Sequence, residues 1–418
     1  MGARWRGADK GKRVTQEMKM SAAPLANTKN GSRSAAFISP GRHYLEGSEA
    51  CIEGALIAGL KVYGGYPITP ASEIMEHAAR RLPMAGGRFI QMEDEISAAC
   101  TLIGASWAGG KAMTATSSPG FSLMQEAISF SIMTETPLVI VDVQRPGPGQ
   151  GYITTSQEDV MQARWGHHGQ GPIIALAPSS VQDMFDLTIE AFNLSETWRS
   201  PVLIMAEETV AHMREQLIVP DLDHIKVVSR KKPRDLGIAP KDYQPYGHGL
   251  VPPLADFGEG YNINHVSLAH HPDGNVTRYN PDMHRKNVVR LHDKIEGNAD
   301  TIARIESRFL DDCEHLLICF GAVARTGVET VMEAREVHGL KIGFLRLVTL
   351  WPFPESVLRK LISRVGTIFV PEMNLGMMLH PITEALRDRC DQVVSIPSIG
   401  VLHSPEALLD KICRVVKC

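Results

Sequence analysis

From about residue 44 to 215 the chain alternates between two hydrophobic patterns. Short apolar runs without polar alternation are separated by longer stretches in which apolar positions recur every three to four residues. The first pattern suits strands buried on both faces, the second amphipathic helices. Helices are predicted over Glu46–Leu60, Pro70–Leu82, Glu93–Ala108, Phe121–Thr134, Glu158–Trp165 and Val181–Glu196. Strands are predicted over Lys61–Gly64, Arg88–Met92, Lys111–Thr116, Leu138–Val143, Ile173–Ala177 and Val202–Ala206. Such repetition predicts an α/β fold, a doubly wound parallel sheet with helices on both faces.

The rhythm breaks over residues 216–297, which hold eight prolines, many glycines and, with His212, half of the 16 histidines. Long irregular segments inside compact proteins tend to be functional or partner-binding. Alternation then returns, with strands at Leu316–Phe320, Ile342–Leu345, Thr367–Val370 and Gln392–Ile396 and helices at Arg325–His338, Met377–Arg389 and Pro405–Val416. The expected organisation is a basic disordered tail over 1–40, a domain over 41–215, an irregular Pro/Gly/His-rich linker over 216–297 and a smaller α/β domain over 298–418.

Composition narrows the class. The 418 residues are 44% hydrophobic and 22% charged, with a formal net charge of −4. That is a globular composition with no reason to expect nucleic acid. No apolar run reaches the ~18–20 residues of a membrane span. Residues 1–34 carry eight Lys/Arg against Asp9 and Glu17 and lack the apolar core of a secretory signal. A disordered tail fits them, and so does an over-extended start, with Met18 or Met20 beginning the chain. The seven cysteines contain no C-x-x-C pair. This argues against a disulfide framework, a zinc ribbon or an iron–sulfur cluster held by this chain, and free thiols suit a reducing cytoplasm.

Familiar cofactor motifs are absent. Gly147–Tyr152 lacks the last glycine of a dinucleotide loop. Gly104–Lys111 has the wrong spacing for a P-loop, and Ala112 follows where a hydroxyl should bind magnesium, so a helix C-cap is expected there. Neither G-x-S-x-G nor H-E-x-x-H occurs.

Chemistry is instead concentrated in loops at the carboxyl ends of predicted strands, where open α/β sheets bind ligands. Gly64-Gly65-Tyr66-Pro67-Ile68-Thr69-Pro70 offers close backbone approach and a hydroxyl; as a plain connection, Thr69 would cap a helix opening with Pro70. Gln91-Met92-Glu93-Asp94-Glu95 places three acids at a helix start, favourable for the helix dipole alone. Glu95, however, precedes an unusually small-residue helix that permits close packing against another body, where a carboxyl would be partly desolvated. Arg145 leaves a buried strand into a Gly/Pro-rich loop, and its fork suits a carboxylate ligand or a structural ion pair. Thr116-Ser117-Ser118-Pro119-Gly120 supplies hydroxyls and free N–H groups before a helix.

Together these stretches, with Val370-Pro371-Glu372-Met373-Asn374-Leu375-Gly376, resemble the α subunit of 2-oxoacid:ferredoxin oxidoreductases, particularly the 2-oxoglutarate and branched-chain types. The resemblance spans roughly 41–215 and, less closely, 300–416. It implies a thiamine diphosphate pyrimidine-binding domain followed by a transketolase C-terminal-like domain. It also implies oxidative decarboxylation of a 2-oxoacid with CoA to an acyl-CoA, CO2 and reduced ferredoxin. By the same resemblance Glu95 faces the aminopyrimidine, with Glu93 in the same turn as the competing assignment. Thr69 and Arg145 bind substrate, while Tyr66, Pro67, Ile68, Ser117 and Ser118 line the cofactor. No G-D-G motif with a downstream Asn is present, so Mg2+, the diphosphate and the 4Fe-4S clusters are expected on a partner β subunit, with γ and small ferredoxin-like δ subunits as further partners.

Met92–Glu95 and Gln162–Gly166 lean toward 2-oxoglutarate, and Thr116–Gly120 toward the branched-chain 2-oxoisovalerate type. A non-redox two-chain decarboxylase and a non-catalytic structural subunit are the other readings. His167 and His168 read as solvated loop residues, and His265, His270 and His271 lack the companions of a metal site.

Overall fold

The computed structural model describes residues 37–362, 365–386 and 392–417. The expected basic tail lies outside them as far as residue 36, as do Met18 and Met20.

The main sheet is built from β2 (Leu60–Gly65), β3 (Arg88–Gln91), β4 (Lys111–Thr116), β5 (Leu138–Gln144), β6 (Ile174–Leu176), β7 (Pro201–Glu207) and β12 (Thr349–Trp351). Its order is β12-β6-β7-β5-β4-β2-β3. All neighbours are parallel except β12, which runs antiparallel to β6. Every residue of β5 and β7 is buried, which explains the unbroken apolar runs. Period-two alternation divides β5: Val139, Val141 and Val143 join the core under helices Gly47–Ile57 and Val181–Trp198, while Leu138 and Ile140 join the core on the other face. Because β5, β4, β2 and β3 are adjacent and parallel, their carboxyl ends bring four loops to one edge of the sheet.

A second sheet has the order β14-β13-β10-β11-β9, from β9 (Ile305–Arg308), β10 (His315–Phe320), β11 (Ile342–Leu347), β13 (Thr367–Glu372) and β14 (Val393–Pro397). β9 is antiparallel to β11 and the rest are parallel. The two sheets are joined covalently and by pairing. β12 arises beside the second sheet and closes an edge of the first, where Trp351 Nε1 donates to the Val160 carbonyl at 2.9 Å. Gln157 pins the same junction, donating through Nε2 to Glu207 Oε1 at 2.7 Å and to the Phe320 carbonyl at 3.0 Å, and accepting the Met373 N–H at 3.0 Å. The Glu372–Gly376 turn is therefore part of the contact between the two halves.

Several expectations need correction. Residues 216–297 are not irregular throughout. β8 (Arg214–Val219) pairs antiparallel with β1 (Gly41–Glu46), and helix Pro281–Ile295 follows Asn280, whose side chain accepts the Met283 N–H at 3.0 Å. The helix is fixed by charge more than by an apolar stripe. Lys294 Nζ donates to Glu135 Oε2 at 2.8 Å and Arg290 Nη2 to Glu135 Oε1 at 2.6 Å. Burial opposes the charge on Glu135, but Lys294, Arg290 and Arg199 outweigh it and hold the carboxyl well below its usual range. The expected Phe121–Thr134 helix is two helices, Ser118–Leu123 and Gln125–Met133. His167 is not solvated: it is 2% exposed, with Nε2 against the Gly171 carbonyl at 2.9 Å, whereas His168 is exposed. Among the described residues Cys51, Cys100 and Cys319 are free thiols, whereas Cys413 is disulfide-bonded.

Candidate active site

The site lies where the loops after β2, β3, β4 and β5 converge. The three acids after β3 separate into three roles. Asp94 caps helix Glu95–Trp107, accepting the Ser97 N–H at 2.7 Å. Glu93 is exposed, and Glu95, the first helical residue, is 4% exposed. The chain thus separates Glu93 from Glu95 by burial, a distinction that spacing in one turn could not make.

Glu95 faces the start of helix Ser118–Leu123. A Cβ added to Gly120 would fall 2.3 Å from Glu95 Oε1 and 2.2 Å from Thr116 Oγ1. Real side chains do not approach so closely, so glycine is required by contact rather than by backbone angle. Thr116 Oγ1 and Ser117 Oγ are buried and make no hydrogen bond within the described chain. Buried hydroxyls are nearly always satisfied, and these two are therefore poised for a group from outside the chain. A buried carboxylate, two unsatisfied hydroxyls and a glycine floor fit the polar edge of a heteroaromatic ring such as aminopyrimidine.

Arg145 is 5% exposed at the end of β5. Its Nη1 donates to the Thr69 carbonyl at 2.7 Å, its Nη2 donates to Gln150 Oε1 at 2.8 Å, and its Nε is unpartnered. Among the described residues no carboxylate forms a salt bridge with it, so the structural ion pair weighed from the sequence is not what holds it. A buried cation satisfied only by neutral oxygens favours an incoming anion. Thr69 is not a helix cap either. Helix Ser72–Arg81 has Ala71 at its N-cap with no side-chain bond, and Thr69 is exposed beside Tyr66 and Pro67, with Ile68 half-buried.

The two serines diverge. Ser117 Oγ is unpartnered, whereas Ser118 Oγ is engaged with Asp159 Oδ2, accepts the Arg145 N–H at 3.0 Å and lies 2.9 Å from the Arg145 carbonyl. A cavity of about 580 Å3 opens beside them, lined by Ser118, Gly147 and Asp159 from the first domain and by Asn374, Leu375 and Met377 from the second.

Sequence reasoning missed Asp142, Asp159, Gln150 and Gln157. Asp142 had a signal, a lone charge inside the apolar run Leu138–Val143. Gln150 and Gln157 had none, because their partners are set by loop path. Of the histidines in residues 216–297, His265 and His270 serve packing. His265 stacks on Trp107 with ring centroids 4.3 Å apart, and His270 meets Tyr246 at 3.8 Å. Among the described residues no group of three His, Cys, Asp or Glu could hold a metal ion. No described helix is long and apolar enough to cross a membrane.

Comparison with known proteins adds an independent line. The family described as "Pyruvate flavodoxin/ferredoxin oxidoreductase, thiamine diP-bdg" matches residues 53–290, and "Pyruvate:ferredoxin oxidoreductase core domain II" matches 313–402. The chain is 47% identical over 367 residues to 2-oxoglutarate synthase subunit KorA of Methanocaldococcus jannaschii, covering 87% of this chain and 97% of that protein. It is 37% identical over 343 residues to ketoisovalerate oxidoreductase subunit VorB of Methanothermobacter marburgensis, covering 82% and 89%. Among solved structures it resembles a 2-oxoglutarate:ferredoxin oxidoreductase from Magnetococcus marinus with 2-oxoglutarate, coenzyme A and succinyl-CoA bound. That likeness has a TM-score of 0.83 at 28% identity and spans 90% of this chain and 65% of that one.

Proposed function

This chain belongs to the pyruvate flavodoxin/ferredoxin oxidoreductase family, and from that premise we propose that it is the α subunit of a 2-oxoglutarate:ferredoxin oxidoreductase. The reaction is oxidative decarboxylation of 2-oxoglutarate with CoA, with ferredoxin as electron acceptor. The observation that carries the reading is the placement, on loops at one sheet edge, of buried Glu95 and of buried Arg145, which forms no salt bridge within the described residues.

Bound at this edge, thiamine diphosphate supplies the electron sink for loss of CO2. The residues present would hold its ring through Glu95, the Thr116 and Ser117 hydroxyls and the Tyr66–Ile68 turn. Glu95 would hold or give a proton at the aminopyrimidine edge from its desolvated carboxyl group, and the Gly120 floor would leave room for the ring beside that carboxyl. Arg145 orients the substrate by its carboxylate, with the Thr69 hydroxyl toward the keto oxygen. Ser118 is assigned to Arg145 rather than to the cofactor, because its hydroxyl is already engaged there.

A partner β subunit would carry the diphosphate site, Mg2+ and the 4Fe-4S clusters, since this chain has no G-D-G motif and no C-x-x-C spacing. The free thiols of Cys51, Cys100 and Cys319 support a cytoplasmic setting, to which the Cys413 disulfide would be the exception. The domain division is proposed as 41–215 for the pyrimidine-binding unit and 298–418 for the second, with 216–297 packed against the first through Arg230–Glu196 and Lys294–Glu135. The higher identity to KorA than to VorB favours 2-oxoglutarate over 2-oxoisovalerate.

The test is copurification of the chain with its partner, followed by a panel of 2-oxoacids with CoA and ferredoxin. 2-Oxoglutarate is expected to give the highest kcat/KM. Preference for 2-oxoisovalerate would overturn the substrate assignment, and turnover without CoA or ferredoxin reduction would favour a non-redox decarboxylase.

A further inference from the structure

Directly behind Arg145 lies a pair of buried acids that the proposed reaction leaves unused. Asp142 is 0% exposed in β5, two residues on from Ile140 and so on the same face of the sheet, above helix Ser118–Leu123. Asp159 is 6% exposed and lies beside Asp142, whose two buried carboxyl oxygens receive no hydrogen bond from a donor of the described chain. Asp159 also binds Ser118 Oγ, and Ser118 in turn holds both the N–H and the carbonyl of Arg145. The loop is fixed from the same side at two more points. Glu158 Oε2 accepts the Gly147 N–H at 2.8 Å, and the Asp159 N–H donates to Gln144 Oε1 at 3.2 Å.

We propose that Ser118 and Asp159 are positioning residues for Arg145, and that the Asp142–Asp159 pair, sharing one proton, sets the net charge behind the guanidinium that receives the substrate carboxylate. The inference rests on the reading of Arg145 given above and extends it to the residues that aim it.

Two neighbouring carboxylates in a dry site do not ionise together readily. Burial raises Asp142 well above the usual range, and the charge of Asp159 raises it further. Burial pushes Asp159 up to about 6, opposed by hydrogen bonds from Ser118 and Asp142 and by the Arg145 charge, and aided by Glu158. Arg145 and Glu158 are thus the charged groups that reach Asp159 from its loop, and Asp159 is the one that reaches Asp142. The residues opposite Asp142 on β4 and β7 are Thr116 and Met205, which carry no charge. With one shared proton the pair carries one negative charge against one positive charge on Arg145. Losing that proton adds a second negative charge behind the guanidinium, so an arriving carboxylate is attracted less and KM rises with pH.

The test is steady-state kinetics on the reconstituted complex with 2-oxoglutarate, between about pH 6 and 9. Ser118→Ala is expected to raise the 2-oxoglutarate KM about five- to twentyfold, with kcat and the CoA KM within about twofold of wild type. Ser118→Thr, which keeps the hydroxyl, restores the wild-type KM. In the wild type, log KM bends upward on the alkaline side, and Asp142→Asn removes the bend. Ser118→Ala with an unchanged KM, or with kcat and CoA KM lowered in parallel, overturns the positioning role. A bend that survives in Asp142→Asn overturns the shared-proton role; should that variant not fold, the Ala and Thr variants of Ser118 still decide the first. If Arg145→Ala itself leaves KM unchanged, the substrate site is misplaced, an outcome distinct from a failure of Ser118→Ala alone.

Discussion

Arg145 donates from Nη1 to the backbone carbonyl of Thr69 at 2.7 Å, across 76 residues of sequence. One guanidinium thereby ties the loop after β5 to the loop after β2, and leaves part of its donor set free while buried. On the proposed reading, substrate recognition and loop position would depend on the same side chain.

Arg145→Ala is expected to raise the 2-oxoacid KM about tenfold or more, because an oriented charge-assisted contact is lost. Steady-state kinetics on the assembled complex checks this. An unchanged KM would place carboxylate recognition elsewhere.

Gly120→Ala probes the floor of the site. The new methyl group would lie within 2.3 Å of both Glu95 Oε1 and Thr116 Oγ1, so the Glu95 carboxyl would have to shift to admit it. A destabilisation of about 1–3 kcal/mol is expected from overpacking, together with weakened thiamine diphosphate binding. Thermal melts and cofactor titration of the complex measure both. Wild-type cofactor affinity in this variant would remove Gly120 from the proposed site.

The junction between the two sheets has its own pH signature. Burial pushes Glu207 up to about 8, against hydrogen bonds from Gln157 and Ala322, whereas its ordinary value is 4.5. Between those values the folded chain holds the proton that the unfolded chain has lost. Stability from this group therefore falls as pH rises through the window, by at most ~1.4 kcal/mol per pH unit. Comparing melts of wild type and Glu207→Gln at pH 6, 7 and 8 isolates the contribution, since Gln mimics the protonated form. The difference between them should change in favour of the variant as pH rises. No change with pH would mean that Glu207 is already ionised in the fold.

Much of this architecture is legible in the sequence, for a physical reason. Parallel strands buried on both faces must be apolar runs, and Leu138–Gln144 and Pro201–Glu207 declare themselves by composition alone. Loops at their carboxyl ends then follow from connectivity. Helix Pro281–Ile295 is obscured because it is held by Lys294 and Arg290 on a buried Glu135, a pairing that periodicity does not encode. The β1–β8 ladder joins Gly41 to Val219 and half of its residues are exposed, so no apolar run marks it. β12 has three residues and owes its existence to an edge supplied by a distant part of the chain. At the site, residue types pointed to Glu95 and Arg145, but only burial separates Glu95 from Glu93. Ser118 looked like a ligand to a cofactor and is engaged with Asp159.

The central claim is that the Glu95 carboxylate primes thiamine diphosphate. It is tested most directly by Glu95→Gln in the reconstituted complex, followed by 2-oxoglutarate- and CoA-dependent ferredoxin reduction with saturating cofactor. The account predicts an assembled complex whose turnover is lost, beside a wild type strictly dependent on thiamine diphosphate. Near-normal turnover by Glu95→Gln, or wild-type turnover without the cofactor, would contradict it.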